Sequence, residues 1–167
     1  GLIPEGFLVE EQAAPGVEVL VGVADRPPVG RCVVVGLGGV EAEVLADASL
    51  RPWPVDADDV AAMWDELRGS RLLGAFRGRP AVDRAALALA TLAIAGEKGL
   101  VAKLGPAVAE LECNPIVASE SGAVAVDARL ALYAAEPPAP APHRVTDFTP
   151  LFEPKSIAVV GASATGR

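Results

Sequence analysis

Hydrophobic and polar positions along this chain follow first a period of two and then a period near three and a half. Val17, Val19, Val21 and Val23 fall on one face, with Glu18, Leu20 and Gly22 on the other, which predicts a half-buried strand over residues 17–23. Residues 7–12, rich in strand formers, predict a strand before it. Residues 25–30, with Pro27 and Pro28, predict a turn, and 31–35 a third strand that Gly36-Leu37-Gly38-Gly39 ends. The period then lengthens. Asp56 or Asp58 can cap a helix running to about Arg68, with Val60, Met63, Trp64 and Leu67 on one stripe. Asp83 can cap a second, through about Ala95, that is apolar nearly all round and is therefore expected to be buried; Gly96 and Gly99 end it. Strands resume over 107–114 and 123–128.

The pattern breaks at Glu136, where Pro-Pro-Ala-Pro-Ala-Pro begins a semi-extended linker assigned to 136–150. Beyond it, Pro154-Lys155-Ser156 leads into Ile157-Ala158-Val159-Val160, a continuous apolar run of the parallel-sheet kind. The expected organisation is one domain over 1–135 and the start of another over 151–167. The first residue is Gly1 rather than Met, and the last follows a glycine turn, so both ends are expected to be cuts in a longer protein.

Composition narrows the class. Hydrophobic residues are 51% of the chain but aromatics only 4%, so a core of small aliphatics in an α/β layered fold is expected. A net charge of −8 with scattered Lys and Arg argues against a nucleic-acid partner. Cys32 and Cys113 each sit in an apolar run and read as buried, reduced thiols. The longest apolar run, 85–96, is too short to span a bilayer, and no signal peptide is visible, which points to the cytoplasm and away from a membrane.

The clearest chemistry lies late in the chain. Glu110, Glu112 and Asn114 share one face of their strand, while Ala123, Ala125 and Asp127 share one of the next. If Ser119-Glu120-Ser121-Gly122 is a hairpin loop, Ala118 pairs with Ala123 and Asn114 lies opposite Asp127, with Glu112 diagonal to it. Two carboxylates and an amide oxygen suit Mg²⁺, which prefers oxygen ligands and keeps positions for substrate phosphates. A hairpin with a solvated polar face fits the same spacing. Pro115, which cannot donate to a ladder, suggests an edge or a bulge there.

Four stretches, in order, resemble the ADP-forming acyl-CoA synthetases and the related succinyl-CoA synthetase. Leu111-Glu112-Cys113-Asn114-Pro115-Ile116 with Val124-Ala125-Val126-Asp127-Ala128-Arg129 is similar to the E-x-N-P…D signature of their ATP-grasp domain. Leu8-Val9-Glu10-Glu11-Gln12 with Gly16-Val17-Glu18 resembles the nucleotide-contacting strands, and Val35 through Glu41 the glycine loop after them. Phe152 through Ser163 resembles the opening of the CoA-binding Rossmann domain.

The resemblance implies an α/β fold: the carboxy-terminal part of an ATP-grasp domain, a mixed or antiparallel sheet with helices, then the first strand of a Rossmann-like CoA-binding domain. It implies that Asn114 and Asp127 hold Mg²⁺ and that Glu112 is catalytic, facing a phosphohistidine. Glu10, Glu11, Gln12 and Glu18 would line the nucleotide pocket. Gly36, Gly38 and Gly39 would approach the phosphates or the phosphohistidine, or simply form a strand-end turn. Gly161, Ala162 and Ser163 would border CoA. The implied reaction joins a small carboxylic acid to CoA, converting ATP to ADP through an acyl phosphate and a phosphohistidine. The family's phosphate-gripping lysines and its catalytic histidine have no counterpart here; His143, the only histidine, sits in the linker. This piece is therefore expected to be inactive alone and to work with the remaining ATP-grasp and CoA-ligase domains of a parent that forms a homo-oligomer. The rival reading is a non-catalytic nucleotide- or CoA-sensing module fused to an acetyltransferase. A different ATP-grasp carboxylate ligase is disfavoured by the tail after the linker.

Overall fold

Two valine-rich strands set the architecture. In the computed structural model, which describes residues 6–38, 47–134 and 147–157, β1 (Val17–Arg26) and β2 (Gly30–Leu37) form a hairpin. Val21 pairs with Val35 and Val23 with Val33. All four, with Val19, are at most 1% exposed, as the period-two pattern requires. The turn is tighter than the proline stretch suggested: β1 runs on to Arg26, the Val29 N–H donates to the Arg26 carbonyl at 2.8 Å, and Gly30 takes φ +95°. Such a φ favours glycine, which has no Cβ to clash. β2 likewise extends past residue 35, so Gly36 and Leu37 are ladder residues opposite Leu20 and Val19.

β3 (Ala48–Pro52), β4 (Val108–Ser119), β5 (Gly122–Ala125) and β6 (Ala128–Leu132) complete a six-stranded antiparallel sheet of order β3-β2-β1-β4-β5, with β6 also paired to β4. The first strand predicted, over residues 7–12, is not formed. β1 has β2 on one side and β4 on the other, so no edge of it is left for the preceding segment. Phe7, Leu8 and Val9 consequently stand in solvent.

The helices pack on one face of this sheet. α1 (Ala57–Asp65) begins at a reciprocal cap: the Asp56 carboxylate accepts from the N–H groups of Asp58 and Asp59, and Asp59 accepts from the Asp56 N–H. Val60, Met63, Trp64 and Leu67 face inward, matching the predicted stripe. Asp83 caps α2 (Arg84–Ala95) through the Ala86 N–H at 2.9 Å, and a single turn, α3 (Leu100–Leu104), follows. α2 is not buried all round. Leu87, Thr91, Ile94 and Ala95 turn inward, but Leu89 is 67% exposed, because among the described residues a single helical layer lies on the sheet and nothing covers its outer side. The one hydroxyl in this apolar helix, Thr91, is fully buried, accepts from the Trp64 indole at 3.2 Å and donates to the Leu87 carbonyl at 2.9 Å.

The chain divides into two compact units, Gly1–Pro137 and Pro138–Arg167. The second contains a helical turn, α4 (Thr149–Phe152), with the Asp147 carboxylate accepting from the Thr149 N–H. Of the strand predicted over 157–160, only Ile157 lies within the described residues, and it is exposed and outside any strand. Among the described residues no helix is long and apolar enough to cross a membrane.

Candidate functional site: a bulged strand and its interrupted partner

β4 changes phase in its middle. Leu111 and Cys113 are buried, yet so are Ile116 and Ala118, which have the opposite parity. Strict alternation cannot bury both sets. The β1–β4 register shows how it is done: Val21 pairs with Cys113 and Val19 with Ile116, so Asn114 and Pro115 together oppose the single residue Leu20. This is a β-bulge, and it explains how a proline is tolerated inside a sheet: Pro115 sits where the ladder is already interrupted. The predicted end of the strand at 114 is thus a kink, and the strand continues to Ser119.

The partner strand is interrupted at the same level. The predicted hairpin register holds: Ala118 pairs with Ala123 and Ser119 with Gly122. Beyond Ala125 the pairing lapses, then resumes as β6 with Cys113 opposite Ala128 and Glu112 opposite Arg129. Within the gap the Asn114 N–H donates to the Asp127 carbonyl at 3.1 Å, and the Val126 N–H to the Pro115 carbonyl at 3.0 Å. Asn114 therefore lies across from Asp127, as the spacing predicted. The expectation that Asp127 continues the face of Ala123 and Ala125 does not hold, because the interruption shifts parity there as the bulge does in β4.

Glu112 and Asn114 project from the face away from the helices. The Asn114 amide donates to Glu112 Oε1 at 3.0 Å, and one Asp127 oxygen accepts from the Ala128 N–H at 2.8 Å. Asn114 and Asp127 are exposed, and Glu112 is half-buried. Beneath them, burial and then the Glu112 charge push the Cys113 thiol up from its ordinary pKa, so it stays a neutral, inert member of the core. Among the described residues no three His, Cys, Asp or Glu side chains come together as a closed metal cage. Two carboxylates and an amide are a different set: they would hold a hard cation while leaving positions for phosphate oxygens and water.

The other predicted residues fall in three groups. Glu18, exposed, lies on the same outward face as Glu112, with Gly22 directly across from Glu112. Gly36 and Gly38 have a packing reason of their own. A Cβ at Gly36 would meet the Asp47 carbonyl at 3.0 Å, one at Gly38 would meet the Glu18 backbone at 3.0 Å, and the Gly38 N–H donates to the Glu18 carbonyl at 2.7 Å. Glu10, Glu11 and Gln12 are exposed in the irregular segment before β1. Gly39, Gly161, Ala162 and Ser163 lie outside the described residues. A pocket of about 390 Å³, lined in part by Pro15, Val17, Leu72, Arg79, Ala118 and Ser119, opens at the β4–β5 turn and contains none of the predicted catalytic, metal or nucleotide residues. Sequence reasoning passed over Arg129, although it stands two residues after Asp127 in the same motif.

Residues 3–132 match the ATP-grasp domain family. The chain belongs to that family. Its Glu112, Asn114 and Asp127 all fall inside the matched span. The ATP-grasp chain is also 35% identical over 170 residues to acetate–CoA ligase (ADP-forming) II of Archaeoglobus fulgidus, covering 96% of this chain and 23% of that protein. It is 36% identical over 127 residues to acetate–CoA ligase (ADP-forming) I subunit beta of Pyrococcus furiosus, covering 76% of this chain and 53% of that subunit. Among solved structures, the Ca. Korarchaeum cryptofilum dinucleotide-forming acetyl-coenzyme A synthetase 1, in complex with coenzyme A and Mg-AMPPCP, superposes with a TM-score of 0.65 at 36% identity. That likeness covers 72% of this chain and 55% of the other. The antiparallel sheet with helices on one face is thus an ATP-grasp fold, and the chain spans at most about half the length of these relatives.

Proposed function

We propose that this chain is the metal- and nucleotide-binding half of an ATP-grasp domain in an acid–CoA ligase that forms ADP. The observation that carries the reading concerns Asn114: the pairing of β4 with β5 and β6 sets its backbone across from Asp127, and the bulge in β4 turns it onto the open face of the sheet beside Glu112. These residues lie within the matched ATP-grasp span, and the Korarchaeum relative was solved with Mg-AMPPCP and coenzyme A.

Asn114 and Asp127 would hold Mg²⁺ through oxygen donors, and the donor set fits that ion. When bound, Mg²⁺ neutralises phosphate charge and draws the phosphates into line for transfer. The residues of the chain do the rest. Glu112 accepts the Asn114 amide hydrogen bond, which fixes that side chain so that its carbonyl oxygen is free for the ion. Glu112 stays at the edge of the cluster, where it can orient the group that receives the phosphoryl. Glu18, with Glu10, Glu11 and Gln12 ahead of it, would border the ribose and base, and Gly36, Gly38 and Gly39 the phosphates. The complete reaction would take a small carboxylic acid, CoA and ATP to an acyl-CoA and ADP. It would need the remaining ATP-grasp and CoA-ligase domains in a cytoplasmic homo-oligomer, with Gly161, Ala162 and Ser163 beside CoA.

The test is a pair of substitutions, Asn114→Ala and Asp127→Ala, in the full-length protein carrying this chain. Each should weaken Mg-ATP binding by calorimetry by about tenfold or more, on the scale of losing one charge-assisted contact. Acid-dependent ADP release should fall with it. Affinity unchanged in both variants would refute the assignment of the metal to this pair.

A further inference from the structure

Arg129 stands beside the cluster with its donors nearly unused. The β4–β6 register sets it directly across from Glu112 and two residues along from Asp127. Its side chain projects on the acidic face, because its Nη1 lies 3.9 Å from Glu110 Oε1. That pair is loose. Its distance is at the limit of an ion pair and the Arg129 side chain is 73% exposed, so the contact holds the guanidinium on the face at little energetic gain. Two other arginines of the sheet are committed: Arg51 engages Glu66 with both terminal nitrogens at 2.9 Å, and Arg31 donates to Asp25 and to the Val108 carbonyl. Arg26, which shares the outward parity, stands at the hairpin tip across from Gly30, away from the cluster.

The open face has an electrostatic problem that one cation would relieve. Glu18, Glu110 and Glu112 project from it, with Asp127 beside them. Were Asp127 to hold a metal ion that carries a nucleotide, some phosphate oxygens would face these carboxylates and would need a cationic donor from the chain. A guanidinium offers several N–H donors in a planar fork that matches a phosphate bidentately. Two residues along a strand is about 7 Å, a span that the long Arg129 side chain can reach back across toward a phosphate held near Asp127.

We infer that Arg129 is a phosphate-binding residue of this site. It exchanges its loose pair with Glu110 for a bidentate contact to the terminal phosphate of the metal-bound nucleotide. The inference rests on the Mg-nucleotide reading above and adds the group that reads the phosphate chain on this half of the fold. A purely structural role, screening Glu110 and Glu112 across the strands, would leave phosphate recognition untouched.

Calorimetry on the full-length protein carrying this chain separates the two roles, with Mg-ATP and adenosine as paired probes. Arg129→Ala should weaken Mg-ATP by about tenfold or more while adenosine affinity stays within about twofold. Arg129→Lys, which keeps the charge but not the fork, should recover only part of that loss. Glu110→Gln, which frees the guanidinium, should leave Mg-ATP binding equal or tighter. Equal effects of Arg129→Ala on both probes, or none on either, would overturn the inference while leaving the nucleotide reading standing. Should Arg129→Ala fail to fold, Arg129→Lys decides, and wild-type Mg-ATP affinity in that variant overturns the role of the fork. If the wild-type protein binds no Mg-ATP, the inference falls together with the reading beneath it.

Discussion

Replacing Thr91 by Val should destabilise the first unit by about 1–3 kcal/mol, and the structure says why. Thr91 and Val have nearly the same shape, both are β-branched, and both suit the middle of a helix about equally well. What changes is one hydroxyl. It accepts from the Trp64 indole at 3.2 Å, in a core where Thr91 is 0% and Trp64 3% exposed. With Val in its place the indole N–H stays buried with no acceptor, and an unsatisfied buried donor costs roughly 1–3 kcal/mol. Trp64→Phe removes the donor and also leaves a void in the core that includes Met63 and Leu87, so it should cost about 2–4 kcal/mol. The double variant should cost less than the sum by about 1 kcal/mol or more, because once the indole is gone Thr91 no longer strands a donor. Urea unfolding followed by far-UV circular dichroism measures all three, with the slope against urea checked for constancy. A Thr91→Val variant as stable as the parent, or strictly additive losses, would mean that this hydrogen bond does not clamp α1 to α2, and the account of the core would be wrong.

Other expectations are more local. Gly16 lies against the Ala118 carbonyl, and a Cβ there would also come within 2.8 Å of Val117. Gly16→Ala should therefore push β1 off β4 and cost about 1–3 kcal/mol, read as a lower unfolding midpoint; an unchanged midpoint would show that the strand start yields freely. Asp25 accepts from Arg31 at 2.9 Å and from Tyr133, and the Arg31 hydrogen bond, outweighing burial, holds its carboxyl below its ordinary value. A depressed native pKa contributes stability that is present above the unfolded value and lost as pH falls through the native one. The stability gap between the parent and Asp25→Asn should thus be full at neutral pH and shrink below about pH 4. Thermal melts between pH 7 and 3 check this, and a gap that widens in acid would reverse the assignment.

How much of this could be read from the residues depends on which rule governed each element. Alternating valines and aspartate caps gave the starts of β1, β2, α1 and α2 to within a residue or two, because burial and capping are local demands that a sequence states openly, while the ends of β1, β2 and α1 differ by two or three residues. Residues 7–12 misled because β propensity says nothing about whether an edge is free to pair, and β2 and β4 occupy both sides of β1. α2 misled because an apolar surface of Ala and Leu is compatible with burial without requiring it, and among the described residues nothing covers Leu89. The site shows the sharper lesson. Spacing alone put Asn114 across from Asp127, and that pairing holds, as does the shared face of Glu112 and Asn114, while the face expected for Ala123, Ala125 and Asp127 does not. Leu111 and Cys113 followed by Ile116 and Ala118 already contain the phase slip, and Pro115 marks where it falls. Two residues opposite Leu20 move Asn114 out of the core parity of Ile116 and Ala118 and onto the open face. The bulge is therefore what turns Asn114 onto the open face beside Glu112 while the hairpin keeps its backbone across from Asp127. A one-residue deletion of Pro115 would restore regular alternation to β4 beside β1, but it would leave the matching gap at Val126 and Asp127 without a counterpart, so the sheet could close only by giving up the pairing on which the site depends.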